Sequence, residues 1–147
     1  MKEAQQQFIA SWGAFGTNWG INRTMAQIHA LLLISSDPLN QDDMMEQLSV
    51  SRGNVNMKIR DLIDWGLVHR VLKPGERKEF FSAEKDMWKV AAIIMRERKK
   101  RELDPIMRLI DQLQDVEGDK KEVKQFSETM GDIKKLGSNA NKLFDLL

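Results

Sequence analysis

The segment from Ser51 to Arg60 combines the side-chain types that read DNA bases, with three basic residues and no acidic one. On a helix, these side chains form a polar face opposite an apolar stripe. Asn can pair bidentately with adenine, Arg or Lys with guanine, and a small or apolar side chain can meet the thymine methyl. On or beside that face, we predict DNA contacts from Ser51, Arg52, Asn54, Asn56, Met57, Lys58 and Arg60.

A second basic segment follows. Between residues 70 and 79 the chain carries four basic side chains, Arg70, Lys73, Arg77 and Lys78, and two acidic ones, Glu76 and Glu79. Residues 67–72 favour a β-strand, residues 73–77 a turn, and residues 78–82 a returning strand. The tip of such a hairpin can lie along phosphates or enter a minor groove. Lys73, Arg77 and Lys78 therefore join the predicted DNA contacts.

The elements that position these side chains form a helix-turn-helix. Ser51 is a good N-cap for a helix that reaches about Trp65, and Gly66 suits the left-handed position that follows. Its predicted apolar stripe is Val55, Ile59, Leu62 and Ile63. A shorter helix over residues 41–48 precedes it, and its acidic start suits the positive end of the helix dipole. With the hairpin, residues 22–83 are predicted to be a winged helix-turn-helix.

Helices are predicted on both sides of this segment. Apolar spacing indicates one helix over residues 4–17 and another over residues 23–35. Beyond Glu84 the pattern is helical, with breaks expected at Asp104-Pro105 and Gly118-Asp119. The predicted fold is mainly α, with a two-stranded β-wing. Dimerisation helices are predicted on both sides of the winged helix, in residues 1–21 and in residues 84–147.

Three aromatic residues, Trp12, Phe15 and Trp19, are spaced i, i+3 and i+7, so on a continuous helix they would share a face. They could form part of an aromatic cage for a quaternary ammonium effector. Packing in the core or in a dimer is the favoured alternative, because aromatic residues at helical spacing generally fill interiors. The set is therefore kept as a candidate small-molecule pocket.

The C-terminal part has two notable patterns. Residues 96–102 carry five basic and two acidic side chains and no apolar one, which indicates an exposed helix; contact with DNA phosphates or an acidic surface of a second protomer stays open. The last predicted helix has a heptad-like pattern of apolar residues, which indicates self-association. The alternative is that a helix ends near Gly137 and that these residues pack within the chain. The positions of the pattern are Val123, Phe126, Met130, Ile133, Gly137, Ala140, Phe144 and Leu147.

Composition excludes several other functions. The chain has no Cys, which excludes disulfides and thiolate chemistry, and its two His residues lie in different elements without metal-ligand spacing. No catalytic motif is found, so neither an enzyme nor a cofactor is expected. No apolar stretch resembles a membrane span or a signal peptide, which favours the cytoplasm. With a net charge of +1, any DNA-binding surface must rest on local charge.

The run from Leu48 to Asn56, followed by Leu62 to Val68, resembles the recognition-helix signature of the MarR superfamily. Residues 73–86 and 96–105 are similar to its GbsR branch. The resemblance implies a homodimeric regulator of transcription that binds a pseudo-palindromic operator in double-stranded DNA. Some members are repressors controlled by choline or related osmolytes.

Two other functions stay open at this stage. One is a protein-interaction module, which the near-zero net charge favours. The other is binding of structured RNA, which is less favoured because the deep, narrow major groove of an A-form helix excludes a recognition helix.

Overall fold

The structure is a computed structural model that describes residues 2–113 and 116–146. The chain divides into two compact units, one up to residue 93 and the other from residue 94 onward. The first unit contains α1 (Lys2–Asn18), α2 (Arg23–Ile34), α3 (Gln41–Leu48), α4 (Arg52–Trp65), β1 (Val68–Val71) and β2 (Phe80–Ala83). α5 (Met87–Arg98) begins there. This order confirms a mainly helical fold with a winged helix-turn-helix.

Both helices of the helix-turn-helix begin at the residues that the sequence indicates. Asn40 and Asp43 cap α3 reciprocally, because each side chain accepts a hydrogen bond from the other residue's backbone N–H, at 2.9 and 3.1 Å. The Ser51 hydroxyl accepts from the backbone N–H of Asn54 at 3.3 Å. At the far end of α4, Gly66 has φ +88°, a conformation that favours glycine. Local capping therefore sets where α4 starts and ends.

α4 packs its apolar stripe into the core of the first unit. Val55, Ile59 and Leu62 are fully buried, as predicted, whereas Ile63 is only half-buried. Trp65, which lies on the other flank of the stripe, is buried instead. The core is completed by residues of α2, α3, the β-hairpin and α5, among them Ile28, Leu32, Met44, Leu67, Phe81 and Val90.

The two strands form an antiparallel hairpin, which we call the wing, residues 68–83. Its register pairs Val68 with Ala83 and Val71 with Phe80, so the second strand begins two residues later than Lys78, its predicted start. Leu39 adds a single bridge, because it exchanges backbone hydrogen bonds with Phe81 at 3.0 and 2.8 Å. This bridge ties the segment before α3 to the wing.

α1 packs closely on α2. Gly13 and Gly16 are its buried residues, and a Cβ added at Gly16 would lie 2.7 Å from the Cβ of Ala26. The two helices therefore approach each other closely at these glycines.

The second unit contains a π-helical segment, Lys99–Leu103, followed by α6 (Asp104–Gln112) and α7 (Lys120–Asp145). The expected break at Asp104-Pro105 is instead a change of helix type, with the Asp104 N–H bonded to the carbonyl of Lys99, five residues earlier. Pro105 explains the widening, because proline has no N–H and its ring clashes with the carbonyl four residues back.

α7 is continuous through Gly137, so no helix ends there. The glycine is buried, and a side chain at that position would collide with Met107 of α6. Leu147, the last position of the heptad-like pattern, lies outside the described residues. None of the described helices is both long and apolar enough to span a membrane.

Candidate nucleic-acid interface

The first half of α4 exposes a face that can approach a groove of DNA. Met57 is 57% exposed, and a Cβ added at Gly53 would meet nothing within 4 Å. Asn54 is half-buried beside them and Arg60 is exposed. Because Val55 and Ile59 are fixed in the core, this face is held toward the outside.

Asn56 lies at the edge of this face and is positioned by α3. Its Oδ1 accepts a hydrogen bond from Nε2 of Gln41 at 3.2 Å. An amide oxygen has two lone pairs, so Oδ1 can accept a second hydrogen bond while the Asn56 NH₂ group stays available as a donor. These are the two groups that bidentate pairing with adenine requires.

Asp42 of α3 joins the start of α4 to the wing. Its two carboxylate oxygens lie 2.6 Å from a guanidinium nitrogen of Arg52 and 2.7 Å from Nζ of Lys78. Hydrogen bonds from Lys78 and then from Arg52 lower the pKa of the Asp42 carboxyl, and the same contact raises the pKa of Lys78. The Asp42 carboxylate and the Lys78 ammonium group are therefore charged at neutral pH.

A cavity of about 290 Å³ lies beside this ion-pair cluster. Its lining residues come from the start of α3, the start of α4 and the wing: Asn40, Gln41, Asp42, Arg52, Lys78 and Glu79. Two predicted DNA contacts, Arg52 and Lys78, are thus brought together by an acidic residue that the sequence analysis did not select.

The remaining residues of α4 that are predicted to contact DNA differ in exposure and in whether they form ion pairs within the protein. The side chain of Lys58 is only 20% exposed and lies 3.9 Å from Asp61. Arg60 forms no ion pair with any residue that the structure describes. The Ser51 hydroxyl caps α4 and can still donate its own proton to a phosphate oxygen.

The basic side chains of the wing differ in whether they contact another side chain. Nζ of Lys73 lies 4.2 Å from the ring centroid of Phe80, a cation–π contact, and Arg70 pairs with Glu79 at 3.4 Å. Arg77 is exposed and has no ion-pair partner within residues 2–113 and 116–146. Arg77 is thus a wing cation that can meet a phosphate without first leaving a protein partner.

The three aromatic residues of the candidate small-molecule pocket lie in a row: Trp12 and Phe15 belong to α1, and Trp19 directly follows its last residue, so the three do not share one continuous helix. The ring centroids of Trp12 and Phe15 are 6.3 Å apart, and those of Phe15 and Trp19 are 4.3 Å apart in an edge-to-face arrangement. The rings contact one another, so the space between Phe15 and Trp19 is too small for an ammonium group. Phe15 is nevertheless 47% exposed.

Trp12 also reaches α2, where its Nε1 donates to Nδ1 of buried His29 at 3.3 Å. Burial, followed by the charge of Lys85, lowers the pKa of His29 to about 4. His29 is therefore neutral at physiological pH, and its buried position agrees with a structural role. Within the described part of the chain, no group of three His, Asp or Glu residues could hold a metal ion.

Sequence reasoning missed the residues that connect the elements. Lys85 donates to the carbonyls of Leu32, Leu33 and Ser35 and so satisfies the C-terminus of α2. Asp42 and Gln41 contact residues 10 to 36 positions away in the sequence. The sequence signal for Asp42 was the acidic first turn of α3. The helix dipole accounts for acidic residues there, so the sequence did not indicate an ion pair with another element.

Comparison with known proteins agrees with this arrangement. Residues 19–79 match the model of the MarR family. A solved structure described as a transcriptional regulator has a TM-score of 0.61 at 17% identity, covering 98% of this chain and 99% of that one. A possible transcriptional regulator from Methanosarcina mazei Go1 has a TM-score of 0.52 at 10% identity, covering 69% of this chain and 86% of that one. No curated protein matches the chain.

The two structural matches show a shared fold. The family match covers α2, the helix-turn-helix and the wing up to the residue before β2, and it supports the prediction of a DNA-binding transcription regulator with a winged helix. Assignment to the GbsR branch stays a prediction.

Proposed function

We propose that this protein, whose winged helix matches the MarR family, binds a specific operator in double-stranded DNA and regulates transcription there. The observation that carries the proposal is the exposed face of α4, where Asn54, Asn56 and Met57 surround the open position at Gly53. α4 enters the major groove with its N-terminal half toward the base edges.

The polar residues of this surface divide into two roles. Asn56 and Arg52 read bases, because a primary amide and a guanidinium can each make two hydrogen bonds to one base edge. Arg77, Lys73 and Lys78 of the wing bind phosphates and set the orientation of the protein on the duplex. Ser51, Asn54, Met57, Lys58 and Arg60 complete the proposed contact surface.

We propose that the regulator is a homodimer. Apolar side chains of the second unit are exposed in the single chain: Ile106 is 53% exposed, Leu136 71% and Leu143 67%. Covering them with the same surface of a second copy removes apolar area from water. A two-fold dimer would place two α4 helices on half-sites about one helical turn apart, which suits a pseudo-palindromic operator.

A ligand-responsive repressor is the form of regulation that the resemblance to the GbsR branch suggests. An effector can shift DNA affinity only if it binds one spacing of the recognition helices better than another. Thermal stabilisation by choline or glycine betaine would support an osmolyte effector. The aromatic row at Trp12, Phe15 and Trp19 is the candidate site to test by substitution, with the effector against the exposed side of Phe15 because the rings leave no space between them.

The test of the DNA-binding proposal is selection of genomic fragments by the purified protein at low salt. We expect a small set of enriched fragments that share a pseudo-palindrome, and loss of that enrichment with Arg52→Ala and Asn56→Ala combined. A protein that is folded but enriches no fragment would be better explained as a protein-interaction module.

A further inference from the structure

Asp42 is an acidic side chain that lies between two of the cations proposed to contact DNA. The Asp42 side chain is 42% exposed, and the side chains of the two cations that it binds, Arg52 and Lys78, are 63% and 60% exposed. All three groups therefore reach solvent, where a phosphate oxygen could contact the same cations. Arg52 and Lys78 belong to the two elements that are proposed to bind DNA.

Helix capping does not account for Asp42. An acid in the first turn of a helix is favourable, but the capping box of α3 is formed by Asn40 and Asp43, the residues on either side of the Gln41-Asp42 pair. The Asp42 oxygens instead accept hydrogen bonds from side chains 10 and 36 residues further along the chain. The contact thus links α4 and the wing to α3.

The effect on DNA binding depends on the kind of complex. Binding to arbitrary sequence rests on phosphate contacts alone, so a carboxylate that neutralises one of two cations weakens it directly. In a specific complex, Arg52 can turn one edge of its guanidinium to a base while another nitrogen keeps its contact with Asp42, because the group has five N–H donors. Asp42 then orients the reading group.

We propose that Asp42 is a specificity-determining residue, which lowers affinity for DNA of arbitrary sequence and positions Arg52 for the operator. The inference rests on the proposed function and names a residue whose charge opposes binding. Its consequence is that removing the carboxylate increases binding to the wrong sequences.

The test measures binding of Asp42→Asn and Asp42→Ala to two labelled duplexes of equal length: a genomic fragment selected by the wild-type protein and a random sequence. Glu46→Gln is the matched control, because it removes one carboxylate from the same helix and Glu46 has no ion pair in the described part of the chain. Thermal melting of each variant checks folding, and Asp42→Ala provides a second neutral variant that cannot accept hydrogen bonds.

We expect both Asp42 variants to bind the random duplex about threefold to tenfold more tightly, with a salt slope steeper by about one ion. In both Asp42 variants, the ratio of affinity for the operator to affinity for the random duplex should fall by about threefold or more. In Glu46→Gln, this ratio should stay at the wild-type value. A ratio unchanged relative to Glu46→Gln, or weaker binding to both duplexes, overturns the inference alone. A folded wild-type protein that selects no genomic fragment at low salt overturns the proposed function as well.

Discussion

The side-chain amide of Gln41 donates a hydrogen bond to Oδ1 of Asn56 at 3.2 Å, so α3 orients a residue of α4 that is proposed to read bases. Asn56→Ala should weaken operator binding by about 1–3 kcal/mol, because a bidentate contact to one base is lost. Discrimination at a single position of the operator should be lost with it. Binding to a set of single-base operator variants measures both effects.

Asn139→Ala is the control for this prediction, because Asn139 is an exposed amide on α7. Both variants should melt like the wild-type protein. An Asn56→Ala protein with an unchanged footprint and unchanged base preference would remove Asn56 from the proposed contacts.

Arg77 should contribute affinity without sequence preference. It is exposed and has no ion-pair partner among the residues described, so Arg77→Ala removes a phosphate contact and leaves the wing otherwise paired. We expect weaker binding to operator and random DNA by the same factor, and a salt slope smaller by about one. Lys124→Ala, which removes an exposed cation from α7, is the charge-matched control. A change of base preference in Arg77→Ala would contradict a purely electrostatic role.

Much of the winged helix could be predicted because its signals are local. The caps Asn40 and Ser51, the glycine after Trp65 and the apolar spacing of α4 each act within a few residues. The bridge between Leu39 and Phe81 could not be predicted, because a single pair of residues has no repeating pattern. The π-helical segment before Pro105 also escaped prediction, since a proline inside a helical pattern normally indicates a break.

The candidate site was only partly predictable for a related reason. The selection of Arg52 and Asn56 follows from residue type and helical geometry, and that of Lys78 from the basic residues of the predicted hairpin. Their partners, Asp42 and Gln41, depend on how α3 packs against α4 and the wing, which no spacing in the sequence reveals. Tertiary contacts thus determine which of the predicted cations are free.

Burial of His29 should make folding stability depend on pH. Its pKa is lowered to about 4 in the folded protein from 6.5, so the unfolded chain binds more protons between these values. Stability should therefore decrease as pH falls from about 6.5 to about 4, by on the order of 3 kcal/mol for this group. Denaturant unfolding at a series of pH values measures it.

His29→Gln should flatten that profile, whereas His69→Gln, at an exposed position of β1, should keep it. A wild-type protein whose unfolding free energy stays constant across this pH range would show that His29 is not held neutral by burial.

The glycines between α1 and α2 should be intolerant of a methyl group. Gly16→Ala would place a Cβ 2.7 Å from that of Ala26, and we expect a loss of about 1–3 kcal/mol in unfolding free energy. Gly131→Ala on α7 meets nothing within 4 Å and should gain about 0.5–1 kcal/mol through helix propensity. Equal stabilisation by both substitutions would contradict a close approach of α1 to α2.

The most direct test of the central claim is the salt dependence of binding to a selected genomic fragment, measured by fluorescence anisotropy beside a random duplex of equal length. For α4 in the major groove with the wing on phosphates, we expect tight, sequence-dependent binding at about 50 mM salt that weakens about 10³-fold or more by about 200 mM. A folded protein that binds neither duplex at the lower salt concentration, or that binds both equally, would contradict it.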